Sequence, residues 1–184
     1  MKRLTEQAHD LLREHVAAGD VVVDATVGNG HDTVFLAKLV GEHGCVFGFD
    51  TQDDAIDITQ LAVERNEFEN VELFQCCHSL MADRIQPEHH SSVAAIVFNL
   101  GYLPGGATRL ATTASTTIAA LHAGFEILKP GGVVSVLAYV GHPSGSEEAE
   151  AVERTLDQMD CEWLRRDDPN GISPRLYFVR LRDD

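Results

Sequence analysis

At 184 residues, with 44% apolar and 7% aromatic content, the chain suits one domain spanning 1–184 around a sizeable core. No window approaches the roughly 18 apolar residues of a membrane span, and MKRLTEQAHDLL lacks the apolar core of a secretory leader, so no membrane association and a cytoplasmic location are expected. Lys and Arg number 14 against 29 Asp and Glu; the formal charge of −15 disfavours non-specific nucleic-acid binding, though Lys2, Arg3, Arg13, Arg109, Arg165, Arg166 and Arg175 could form a local basic patch.

Lys2 to Ala18 has Leu, Ala and Val at mixed helical spacing and predicts a lead-in helix. VVVDA (Val21 to Ala25) predicts a short buried strand, DTVFLAKLVG a helix ending near Gly41 and Gly44, and CVFGFD a second strand ending at Asp50. A helix over Asp53 to Arg65 and a third strand, VELFQC, follow. SSVAAIVFNL holds the fourth strand, ending near Asn99; Ala111 to Leu128 predicts a long helix stopped by Lys129-Pro130-Gly131-Gly132. VVSVLAYV is the fifth strand and Glu147 to Met159 a helix; CEWLRRDD and PRLYFVRLRD form two last strands joined by PNG. Strand–helix alternation predicts an α/β fold, a mostly parallel sheet with helices on both faces, and the last two strands are close enough for an antiparallel hairpin. The cysteines, Cys45, Cys76, Cys77 and Cys161, show no C-x-x-C spacing and read as buried, reduced thiols.

In such sheets ligands sit beyond the carboxyl ends of the strands, where the strand order reverses. The first strand end is DATVGNGHDT. Gly28 and Gly30 permit a tight turn and a close backbone approach, but Thr33 replaces the third glycine of a dinucleotide loop and no Lys follows. Asp32 suits the helix dipole and would repel a pyrophosphate; with Asp24 it favours a ligand carrying positive charge. Asp50, ending the second strand, lies where a carboxylate accepts from ribose hydroxyls. A ribose, a nearby cation and no pyrophosphate describe S-adenosylmethionine. At the fourth strand end, NLGYLPGG, Asn99 offers an acceptor for an amine N–H and Tyr102 a flat ring able to stack on a base. His142, in YVGHPSG, could act as a base or contact phosphate. His78 reads as a wall of the cofactor pocket, and His31 could touch the cofactor's methionine tail. The histidines lack a paired metal-ligand spacing, so no metal is expected. The threonine-rich Thr112, Thr113, Thr116 and Thr117 have no evident chemical reading.

With DATVGNGHDTVFLA, FNLGYLPGG and YVGHPSG in order, the chain resembles a class I S-adenosylmethionine-dependent methyltransferase. More narrowly it is similar, over nearly its whole length, to the small bacterial family labelled putative rRNA methylases. The resemblance implies a Rossmann-like, seven-stranded sheet with a reversed final hairpin, a homodimer, and a substrate in the tRNA anticodon region. There the 5-aminomethyl group of (2-thio)uridine at the wobble position would gain a methyl. It also implies cofactor contacts from Asp24, Thr26, Gly28, Asn29, Gly30, His31, Asp32 and Thr33, with Asp50 and Gln52 flanking the adenosine. Asn99, Gly101 and Tyr102 would face the methyl and the amine. The chain departs from the family pattern at Ala107-Thr108-Arg109 and at Ser144.

An rRNA or small-molecule methyltransferase is the alternative within the class, the latter favoured by the acidic charge. A nicotinamide-dependent oxidoreductase is opposed by the missing third glycine and by Asp32. A non-catalytic module is opposed by Asn99 and Tyr102.

Overall fold

The computed structural model describes residues 2–101, 111–141, 144–168 and 174–183. Its elements follow the expected order: α1 (Leu4–His15), β1 (Val21–Asp24), α2 (His31–Val40), β2 (Cys45–Asp50), α3 (Asp53–Arg65), β3 (Val71–Gln75), a short α4 (Met81–Arg84), β4 (Val93–Leu100), α5 (Ala114–Ile127), β5 (Leu128–Ala138), α6 (Gly145–Leu156), β6 (Cys161–Asp167) and β7 (Arg175–Leu181). The seven strands form one sheet in the order β3-β2-β1-β4-β5-β7-β6. β1 to β5 pair in parallel, whereas β7 runs antiparallel between β5 and β6. This is the expected α/β architecture with its terminal hairpin; the PNG turn lies outside the described residues.

Burial on both sheet faces explains why the central strands read as near-continuous apolar runs. Along β1, β2 and β4, alternate residues enter two cores. Val23, Phe47, Ile96 and Phe98 pack with α4, α5 and α6; Val22, Val46, Ala95 and Val97 pack with α1 and α2. The α1 helix buries Leu4, Ala8 and Leu12, spaced four apart on one face.

Two boundaries differ from expectation. The segment Lys129-Pro130-Gly131-Gly132 belongs to β5, whose pairing with β4 jumps from Val93↔Leu128 to Ala95↔Val133. Proline and paired glycines stop α5 as expected, and the irregular pairing then accommodates them at the start of the strand. The stretch after β3, which carried no element in the sequence reading, folds into turns at His78–Leu80 and Pro87–His89 around α4.

The strand order reverses between β1 and β4. Chain direction leads from β1 outward through β2 and β3, then crosses to β4 on the other side. A cleft therefore opens at the carboxyl ends of β1 and β4.

Candidate active site

The cleft has a volume of about 830 Å³ and is walled by the ends of β1, β2, β4 and β5 and by one flank of α1. Thr26, Gly28, Asn29, His31, Asp32, Asp50, Gln52, His78, Asn99 and Gly101 all line it. Asp24, Gly30 and Thr33 do not; they lie beneath the wall and shape it. Tyr102 and His142 lie outside the described residues.

The glycine loop is built from both its glycines and its hydroxyls. Gly28 (φ 49°) and Gly30 (φ 77°) occupy the left-handed region, which only glycine enters without strain. A Cβ on Gly30 would sit 3.1 Å from Thr59 Oγ1 and 3.2 Å from the Thr59 backbone. Thr59, fully buried on α3, donates to the Gly28 carbonyl at 3.2 Å. Thr33 is also fully buried, and its hydroxyl donates to Asp24 Oδ2 at 2.6 Å, while Thr26 N donates to Asp24 Oδ1 at 3.2 Å. Burial, with the Asp32 charge adding to it, pushes the Asp24 carboxyl up to about 7.

Asp50 is tied to the same loop. Its Oδ2 accepts from Gly28 N at 3.1 Å and its Oδ1 from Gln52 N at 3.0 Å. Each carboxylate oxygen has a second lone pair, so the group can still accept from a diol. His78 is buried; its Nδ1 meets the Ala25 carbonyl at 3.0 Å and its Nε2 has no hydrogen-bond partner among the described residues. The carbonyl is an acceptor only, which places the proton on Nδ1, and burial drives the ring's pKa down toward the neutral form.

On β4, the backbone N–H of Asn99 donates to Thr26 Oγ1 at 2.7 Å, joining the two strand ends. The Asn99 amide Nδ2 donates to Asp32 Oδ2, and the other oxygen of Asp32 bonds His9 Nε2 at 2.5 Å. His9 lies flat on Phe35, with centroids 3.8 Å apart and planes 5° apart. Tyr139 rises from the end of β5 beside Gly101, 38% exposed within the same cleft.

Similarity to known proteins bears on this geometry. The family described as "Putative rRNA methylase" matches residues 46–166, and a tRNA (mnm(5)s(2)U34)-methyltransferase of Arabidopsis thaliana chloroplasts is 41% identical over all of this chain and 71% of its own. The chain belongs to the rRNA methylase family. A crystal structure titled putative rRNA-methylase, from Clostridium thermocellum, superposes with a TM-score of 0.91 at 40% identity, covering 98% of both chains. A putative methyltransferase from Streptococcus mutans, solved in complex with SAH, gives 0.85 at 29% identity, again with 98% of each chain covered. This member of the family is an S-adenosylmethionine-dependent methyltransferase with the class I fold.

The cleft suits that cofactor on its own chemistry. Asp32 and Asp50 line the cleft beside the glycine loop, matching a sulfonium and an ammonium and opposing a diphosphate, whereas Asp24, expected to add to that charge, is buried beneath the loop and held toward its neutral form. The volume falls within the roughly 300–1,000 Å³ of small-molecule sites. Asp50 and Gln52 could flank the nucleoside, with Gly28, Asn29 and His31 along the tail.

His9 was missed by sequence reading. It sits in a helix outside the motifs, and its partner lies 23 residues away. The threonine-rich stretch also acquires a reading. Thr113 caps α5, while Thr112 and Thr117 donate to the buried Glu148 of α6 at 2.9 and 2.6 Å. The expected basic patch is mostly neutralised. Arg165 and Arg175 pair with Glu153 and Asp167, Lys2 and Arg13 with Asp10, and Arg3 with Glu6. Arg109 lies outside the described residues. No disulfide forms among the described residues, and of the four thiols only Cys161 is buried. Among the described residues there is also no group of three or more His, Cys, Asp or Glu side chains placed to hold a metal ion, and no helix long and apolar enough to cross a membrane.

Proposed function

We propose that this methyltransferase acts on tRNA, N-methylating the 5-aminomethyl group of (2-thio)uridine at the wobble position. The observation that carries the reading is the Asn99 amide. Its nitrogen is engaged by Asp32, so its Oδ1 is left as an acceptor at the cleft wall. An acceptor there takes an N–H of an amine and aims the nitrogen lone pair toward the cofactor side of the cleft. The likeness, over all of this chain, to the tRNA (mnm(5)s(2)U34)-methyltransferase of chloroplasts supports the same acceptor.

Bound cofactor supplies a methyl group that is already electrophilic, so no covalent enzyme intermediate is required. The residues then act by positioning. Asp50 and Gln52 hold the nucleoside, Gly28, Asn29, His31 and Asp32 the tail, with Gly30 and Thr33 shaping the loop from beneath, His78 the pocket wall, and Asn99 with Gly101 the amine. Tyr102 packs the base or shields the methyl, and His142 or water takes the amine proton; both of these roles rest on sequence alone. The chain works as a single domain over 1–184 and as a homodimer; sedimentation at a monomer's mass would overturn the latter.

Mass spectrometry of nucleosides from total tRNA and rRNA, with and without the gene, tests the substrate. The expected result is loss of methylaminomethyl-thiouridine with accumulation of its unmethylated precursor. An unchanged tRNA profile with a missing rRNA methyl group would redirect the reading to rRNA. The charge of −15 and the pairing of the candidate basic residues favour a second reading, a small-molecule acceptor. Salt-sensitive binding of tRNA by the purified protein would argue against it.

A further inference from the structure

We infer that His9 is a positioning residue for methyl transfer, acting through Asp32 to sort the two ends of the Asn99 amide. The inference rests on the amine-orienting role of Asn99 proposed above.

An amide presents nearly the same shape with its oxygen and nitrogen exchanged, so its orientation is decided by neighbours. An ionised carboxylate only accepts. With Asp32 Oδ2 against the side chain, Asn99 must turn Nδ2 toward α2 and Oδ1 away from it. A reversed amide would set two acceptors face to face and offer N–H groups to a substrate that also carries N–H groups. Asp32 thus decides whether Asn99 can hold an amine at all.

Asp32 in turn needs a fixed rotamer. It lies in the first turn of α2 with 18% of its side chain exposed, and His9 Nε2 holds its Oδ1 at 2.5 Å. The imidazole is itself immobilised by stacking on Phe35, one turn along α2 from Asp32. Two residues of α2 therefore grip one ring of α1. Attachment of α1 to the body does not depend on this grip, because Leu4 and Ala8 pack against Leu137 and Leu176, and Leu12 packs against α2 and the sheet. His9 lies instead on the flank that lines the cleft.

The test separates the imidazole's hydrogen bond from its packing. His9→Phe keeps a ring on Phe35 without the donor; His9→Gln keeps a donor near the Nε2 position without the ring. Single-turnover methylation of tRNA from a strain lacking the gene is measured with saturating cofactor, alongside calorimetric cofactor binding and the Asn99 side-chain amide resonances. His9→Phe is expected to slow transfer by roughly tenfold or more, leave the cofactor Kd unchanged and shift the Asn99 amide signals. His9→Gln should recover most of the rate. In an Asn99→Ala background, His9→Phe should add no further loss. Equal loss in both backgrounds, or a His9→Phe enzyme as fast as wild type, overturns the inference. If Asn99→Ala alone transfers at the normal rate, the orienting role of Asn99 fails first and the inference with it.

Discussion

Thr33 donates its hydroxyl to Asp24 at 2.6 Å, and both residues are completely buried. A dinucleotide loop places a third glycine at this point to bring helix and strand together; here the position is used for a hydrogen bond to a carboxyl group. Asp24 thereby becomes an internal brace of the glycine loop rather than part of its surface.

That brace predicts a pH effect on stability. In the folded chain Asp24 keeps its proton to about pH 7, because burial opposes its charge; unfolded, it releases the proton near 3.8. Between these values the native state binds more protons, so Asp24's contribution is fully present below pH 3.8 and falls as pH rises to about 7. Urea unfolding of wild type and Asp24→Asn from pH 4 to 8 should show wild type losing a few kcal/mol relative to the variant. Parallel curves would refute the assignment.

Gly30→Ala should damage the loop twice over. The residue would need φ 77°, at about 1–2 kcal/mol, and its Cβ would crowd Thr59. Moving Thr59 would disturb its bond to the Gly28 carbonyl. We expect a lower Tm and weaker cofactor binding. Adding Thr59→Ala should recover only part of either, since the backbone of residue 59 would still lie 3.2 Å from the added methyl.

Asp50→Asn removes one of two acceptors that organise the β1 and β2 strand ends. An amide nitrogen would then face the N–H of either Gly28 or Gln52. Calorimetry should show cofactor affinity reduced by roughly tenfold or more, about 1.4 kcal/mol per factor of ten. An unaltered Kd would remove Asp50 from the nucleoside site.

Glu148→Ala should cost about 2–4 kcal/mol in chemical denaturation, because it leaves the hydroxyls of Thr112 and Thr117 without their acceptor and opens a void. Glu148→Gln should be milder, since a threonine hydroxyl can rotate to accept from the amide. Equal losses would show that acceptance by both carboxylate oxygens, rather than the volume filled, governs this contact.

Much of the architecture was legible in the sequence because its causes are local. Short apolar runs bounded by turn residues marked the strands, and Gly28 and Gly30 marked the turn, with Asp32 the acidic group beside it. Boundaries blurred where a stop signal was shared. Lys129 to Gly132 ends α5 but also begins β5, since the strand pairing tolerates an irregularity there. The site was legible at the strand ends, where topology alone sends side chains to one rim. It was not legible at His9 or Glu148, whose partners lie on other elements.

By itself the sequence determined the order of strands and helices, the glycine turn and the acidic character of the glycine loop. Each follows from hydrophobic periodicity or backbone freedom within a few residues. Tertiary structure alone decided that Asp32 meets both His9 and Asn99, the latter 67 residues distant, and that Glu148 meets Thr112 and Thr117. Those pairings depend on the register of β1 against β4 and on how α1 and α6 dock. A burial pattern specifies which face of a helix turns inward, but not which polar neighbour awaits at its edge.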